Sequence, residues 1–149
     1  MLLLDVNVLV YAFDASAVDH ERHLAWLTNT LEGDEPVGIA DTVLAAFVRI
    51  VTHPRILARP ASLDLALAFA AAVRAAPATV SIVPGGQLWT IFERTCRTAN
   101  ARGNLVPDAY LAALAIEQRA TLITTDRDFS RFTRLHVRHP LTSTDAPPV

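Results

Sequence analysis

Apolar positions along this chain follow two rhythms. Short runs, Leu2–Val6 with Asp5 inside it, Val37–Ala40, Thr79–Val83 and Thr121–Thr125, have the length and β-branched content of buried strands. Between them lie longer segments whose apolar residues recur every three or four positions, as on one face of a helix. Asn7 to about Phe13 reads as a first helix. Asp19–Leu31 reads as a second, capped by Asp19, with Leu24, Leu27 and Leu31 on one face. Gly33-Asp34-Glu35-Pro36 ends it. Asp41 or Thr42 then caps a helix carrying Val43, Leu44, Phe47, Val48 and Val51, which His53-Pro54 stops.

The second half continues the alternation. Ser62 caps an Ala-rich helix over 63–76, and Pro77 closes it. Pro84-Gly85-Gly86 makes a turn, and a helix of about 87–100 carries Leu88, Ile91, Phe92 and Cys96. After a loop at Ala101–Asn104, Pro107 opens a helix over 107–119 as its first residue. Leu135-His136-Val137 is a weaker edge strand, and residues 141–149, with Pro147-Pro148, read as a flexible tail. Strands alternating with helices predict an α/β sandwich around a mainly parallel central sheet, in one domain over 1–140.

Composition narrows the chemistry. The chain has 149 residues, 52% of them hydrophobic and 19% charged, the balance of a folded globular protein. Its 13 basic residues are all arginine. Without lysine there is no Walker A phosphate loop and no Schiff-base chemistry. A formal net charge of −2 gives no global field for nucleic acid, although a bound metal can supply positive charge locally. The single cysteine, Cys96, cannot form an internal disulfide and reads as a buried small apolar residue, which fits a reducing, cytoplasmic setting. The apolar start lacks a basic leader, and Ala61–Ala76 is too short and too charged to cross a membrane.

The position of the aspartates is more selective. Asp5 ends the first strand, Asp126 directly follows Thr121–Thr125, and Asp108 lies in the first turn of the helix opened by Pro107. In a parallel sheet the carboxyl ends of the strands share one edge, and ligands bind there. Three acids from distant parts of the chain therefore converge on one cleft, with Asp128 two residues beyond Asp126 as a further ligand. Ionised carboxylates held together call for a cation, and an all-oxygen set favours Mg²⁺ or Mn²⁺. Such an ion activates water for attack on a phosphodiester. Taken singly, Asp108 is also a good helix-start residue and Asp126 a good turn residue, so spacing alone leaves both readings open.

Other motifs carry less. His20-x-x-His23 and His136-x-x-His139 lack a third ligand for zinc and read as solvated. Gly85-Gly86 lacks the rest of a dinucleotide fingerprint, and Ser16, Ser62 and Ser81 sit in no nucleophile elbow. Arg94, Arg97 and Arg102, on or just after one helix, are candidate RNA contacts, since guanidinium binds phosphate bidentately. Trp26 and Trp89 read as core or dimer contacts.

With these residues in view, the chain resembles the PIN-domain family, and within it the VapC-type toxin ribonucleases. The resemblance runs from Met1 to about Pro140 and rests on LLLDVNVLVYAF, VLAAFVRIVTHPRI and LVPDAYLAALAIEQRATLITTDRDF, in that order. It implies a three-layer α/β/α sandwich, Mg²⁺- or Mn²⁺-dependent endoribonuclease activity, a homodimer and a VapB-type antitoxin. It places the family's acids on Asp5, Asp108 and Asp126, with Asn7 and Thr125 as supporting polar residues. One position departs from the pattern. A glutamate common in the family falls on Ala46, which can neither bind metal nor accept a proton. Asp41 lies five residues earlier, too far round the helix to be an assured substitute, and whether it or Asp128 compensates is left open by the sequence. That departure motivates a second reading, a PIN domain with weak or no catalysis that binds RNA or an antitoxin.

Overall fold

The computed structural model describes residues 1–142; the rest of the expected tail lies outside the described residues. Five strands, β1 (Leu2–Leu4), β2 (Val37–Ala40), β3 (Thr79–Ile82), β4 (Thr121–Ile123) and β5 (His136–Arg138), form a single sheet in the order β3-β2-β1-β4-β5. Every pairing is parallel, with Leu2 opposite both Val37 and Thr121. Six helices accompany it: α1 (Val6–Phe13), α2 (His20–Leu31), α3 (Asp41–Val51), α4 (Leu63–Ala75), α5 (Leu88–Ala99) and α6 (Leu105–Glu117). Helices α1 to α4 pack on one another, and α5 packs on α6.

The central strand shows why this is a three-layer fold. Successive strand residues point to opposite faces, yet Leu2, Leu3 and Leu4 are all buried, so both faces are covered. Under the α1–α4 layer, Phe13, Phe47 and Phe69 form an aromatic cluster with ring centroids 5.0 to 5.3 Å apart. Gly38 lets β2 and β3 approach here. A Cβ on it would lie 2.8 Å from Ile82 Cγ1, inside van der Waals contact. Among the described residues no helix is long and apolar enough to cross a membrane.

Several local expectations need correction. The buried stripe of α2 is His23, Leu27 and Leu31, while Leu24 is 40% exposed. His23 is thus not a solvated histidine: it is 4% exposed, with its ring stacked on Tyr11 at a centroid distance of 5.1 Å. Asp19 precedes α2 in a left-handed conformation and its side chain does not cap the helix. Neither Asp41 nor Thr42 caps α3, because the helix already begins at Asp41; Ala40 holds the cap position and Asp41 pairs with Arg74.

Helix α6 starts two residues before Pro107, which is tolerable because the first turn's N–H groups have no helical acceptors. Trp89 is 65% exposed and so is no core residue, whereas Trp26 packs against the core. Cys96 is only half-buried, although that burial still pushes its thiol upward.

Candidate active site

Backbone geometry at the end of β1 sets the first carboxylate. The strand stops at Leu4, but the Asp5 N–H still donates to the Ile123 carbonyl at 3.0 Å, holding Asp5 against β4. Asp5 is then the N-cap residue of α1, only 5% exposed. Its Oδ1 accepts from the Val6 N–H at 2.6 Å; its Oδ2 accepts from Asn7 Nδ2 at 2.7 Å and Thr124 Oγ1 at 2.6 Å. The Thr124 oxygen in turn accepts from Asn7 Nδ2 at 2.9 Å and from the Asp126 N–H at 3.0 Å. Burial raises the Asp5 carboxyl above its ordinary range, the nearby charge of Asp126 adds to this, and the donated hydrogen bonds act against it.

Asp108 comes from the first turn of α6 and is half-buried. Its carboxyl is pushed up to about 6, first by burial and then by the charges of Asp5, Asp126 and Asp128. The four acids therefore share one electrostatic site. Asp5 and Asp108 line a recess of about 260 Å³ whose walls include Thr42, Ala46 and Tyr110. Asp126 lines a neighbouring recess with Thr125 and His139, and its Oδ1 caps a 3-10 turn, Arg127–Arg131, by accepting from the Asp128 N–H at 2.8 Å. Asp128 is exposed and pairs with Arg131 at 3.4 Å.

The supporting residues divide differently from the sequence expectation. Asn7 ties β1 to β4, since its Oδ1 also accepts from the Thr125 N–H at 3.2 Å. Thr125 takes part through that backbone group, while the hydroxyl on Asp5 belongs to Thr124. The resemblance pointed to Thr125, but the hydroxyl hydrogen-bonded to the acid is that of its neighbour Thr124.

Among the described residues no three carboxylate, imidazole or thiol groups stand ready to ligate one ion. The donor set nevertheless fits Mg²⁺ or Mn²⁺. Mg²⁺ commonly takes one or two carboxylates and fills its shell with water and substrate phosphate. The mutual repulsion that raises Asp108 is also what a divalent cation relieves. Asp5 and Asp108, which line one recess, could supply those carboxylates, with Asp126 and Asp128 near enough to act on Asp108 through their charge.

A family model described as PIN domain matches residues 2–135. The chain belongs to the PIN domain family. This PIN domain is 43% identical over 141 residues to a VapC ribonuclease of Mycobacterium bovis, covering 95% of the chain and 96% of the relative. It is 36% identical over 142 residues to ribonuclease VapC25 of Mycobacterium tuberculosis, covering 95% and 100%. Its fold is similar to that of VapBC-1 from nontypeable Haemophilus influenzae, with a TM-score of 0.70 and 16% identity over 95% of this chain and 98% of the other. VapC20 of Mycobacterium tuberculosis, described as a Sarcin-Ricin loop cleaving toxin, gives a TM-score of 0.65 and 17% identity, covering 91% and 99%.

Ala46, the residue that the resemblance matches to a glutamate, lines the recess beside Asp5 and Asp108 and offers it only a methyl group. Asp41 does not line that recess and is engaged by Arg74. Of the candidate arginines, Arg97 pairs with Glu93 at 3.7 Å on the exposed face of α5, and Arg102 is exposed in the loop after it. Arg94 alone of the three lines a recess, on another face of α5.

Proposed function

We propose that this PIN domain is the toxin of a type II toxin–antitoxin pair: a cytoplasmic homodimer, restrained by a VapB-type antitoxin, that hydrolyses RNA phosphodiesters internally with Mg²⁺ or Mn²⁺. One observation carries the reading: Asp108 is half-buried beside Asp5, Asp126 and Asp128, and burial, followed by their charges, lifts its carboxyl to about 6. The ribonuclease names of relatives at 43% and 36% identity support the reaction, and the VapBC complexes among the structural neighbours support the partner.

In this reading Asp5, Asp108 and Asp126 would hold the cation, whose chemistry when bound would be to neutralise phosphate charge and to acidify a water. Asp5 is preorganised, because donors on both its oxygens leave the carboxylate one orientation. Asp108, half-buried among the other acids, is the carboxylate whose charge a cation would relieve most. The Thr124–Asp126 hydrogen bond fixes where β4 delivers the third acid.

Purified protein should cut structured RNA with Mg²⁺ or Mn²⁺ and be silent in EDTA, and Asp5→Asn or Asp108→Asn should abolish the cleavage. Equal cutting by wild type and both variants would mean a contaminating nuclease. The second reading, a binding domain with weak catalysis, is favoured by one specific feature, the methyl of Ala46 at the recess wall. Single-turnover cleavage no faster than that of Asp108→Asn, together with tight RNA or antitoxin binding, would select it.

A further inference from the structure

A third recess lies along α5, with no site carboxylate in its lining. It has a volume of about 140 Å³ and is lined by Arg94, Arg131 and Arg134, with Gln87, Thr98 and Thr133 among its polar neighbours. Among the described residues no carboxylate lines it. Among the described residues Arg94 and Arg134 have no acidic partner, and Arg131 has only the exposed contact to Asp128, which a phosphate can replace. Arg134 also holds a left-handed backbone, φ 71°, where glycine or asparagine is the ordinary occupant. A chain of net charge −2 thus concentrates three guanidinium groups, forks suited to phosphate oxygens, around one small cavity.

The recess is joined to the acidic site. The 3-10 turn is capped by Asp126 at one end and finishes at Arg131, and Asp128 within it both acts on Asp108 and pairs with Arg131. Arg127 lines the recess of Asp126 and Arg131 lines this one, so guanidinium groups stand at both ends of the turn. We propose that this recess binds a backbone phosphodiester of the RNA substrate, away from the bond that is cut. The inference rests on the RNA-cleaving reading and names the chain's own anchoring site for that substrate. Repeating phosphates favour RNA over an acidic protein segment, whose carboxylates have no fixed spacing along an extended chain.

The test measures anisotropy of a fluorescein-labelled 16-nucleotide RNA against full-length Asp108→Asn, with and without Arg94→Gln plus Arg134→Gln, across a range of salt. The double change should weaken binding roughly tenfold and flatten log K against log salt by about 0.7 for each phosphate no longer neutralised. In the otherwise native chain it should raise KM by a similar factor and leave kcat within about twofold, as removal of uniform binding requires. Arg134→Gly guards against misfolding, because it removes a guanidinium while suiting the left-handed backbone. It should weaken RNA binding with no fall in Tm. Unchanged affinity and salt slope would overturn the proposal, as would failure of antitoxin capture with RNA binding intact. If wild type binds RNA through these arginines yet never cuts it, the recess stands and the ribonuclease reading falls.

Discussion

Thr124 donates its hydroxyl hydrogen to Asp5 Oδ2 at 2.6 Å, linking the ends of two neighbouring strands through residues 119 apart in sequence. The same hydroxyl oxygen accepts from Asn7 and from the Asp126 backbone, so one side chain sets the positions of two site acids. Asp5 depends on this bond: it is buried, and burial already raises its carboxyl. Thr124→Val keeps the shape and removes the donor. Hydrogen bonds to charged groups contribute about 1.5–3 kcal/mol, so the variant should lose about 2 kcal/mol in urea unfolding. Cleavage should fall by about 10- to 100-fold, the usual effect of removing a partner that orients a ligand. Thr124→Ser retains the hydroxyl and should restore most of both.

Asp108 ties stability to pH in the direction opposite to most carboxylates. Its folded-state value, about 6, lies above the ordinary 3.8, so the folded chain holds this proton more tightly than the unfolded chain does. The stabilisation is fully present below about 3.8 and is lost as pH rises through 6. Asp5, raised for a similar reason, acts in the same direction. Thermal unfolding without divalent ions should therefore show Tm falling between about pH 4 and 7 relative to Asp108→Asn, whose profile is flatter. Added Mg²⁺ should recover the deficit at about pH 7 in wild type more than in the variant. Cleavage should rise with pH with a midpoint at or below about 6, since bound cation favours the ionised carboxylate. A wild-type profile parallel to that of Asp108→Asn would remove the charge cluster from the account.

Asp5 was legible because burial makes an acid conspicuous. Asp5 interrupts an apolar run, and a carboxylate there needs hydrogen-bonding partners, which Thr124, Asn7 and the Val6 backbone provide. Asp108 and Asp126 were placed by the rule that parallel strands present one common edge. What stayed hidden depended on orientation. Thr124 and Thr125 differ by one step along the strand end, and the 3-10 turn carries a single buried residue, Phe129, in a polar stretch with no period to detect. On α2 a histidine displaced a leucine from the buried stripe, because Tyr11 offers His23 an aromatic face that hydrophobicity alone does not register.

That histidine gives a prediction of its own. His23 Nδ1 is buried with no hydrogen-bond partner, and the ring lies 6.3 Å from that of His139. Burial, followed by His139, lowers its titration below 6.5, with Asp19 opposing. The unfolded chain therefore takes up this proton first, and stability is lost as pH falls below about 6.5. His23→Phe keeps the stacking on Tyr11 and removes both the orphan nitrogen and the titration. Relieving an unsatisfied buried polar atom is worth about 1–3 kcal/mol, so calorimetry should show a higher Tm for the variant, with a wider margin at about pH 5 than at about pH 8. An equal margin at both would mean that His23 does not titrate in this range.

Ala46→Glu asks what a carboxylate at this wall of the recess would do. The residue lies on α3 at the wall of the recess shared by Asp5 and Asp108, so a glutamate there adds a carboxylate to an already repulsive set. Without metal, this should push Asp108 higher still and lower Tm at about pH 7, while at about pH 4, with the carboxyls protonated, the difference should narrow. With metal the sign reverses: another oxygen donor should reduce the Mg²⁺ or Mn²⁺ concentration for half-maximal cleavage by about tenfold, equivalent to about 1.4 kcal/mol. Titrating cleavage against each metal in wild type and variant separates the outcomes. A variant that is less stable without metal and no more responsive to it would mean that position 46 faces the acids without reaching the ion. The weak-catalysis reading would then need another cause than this alanine.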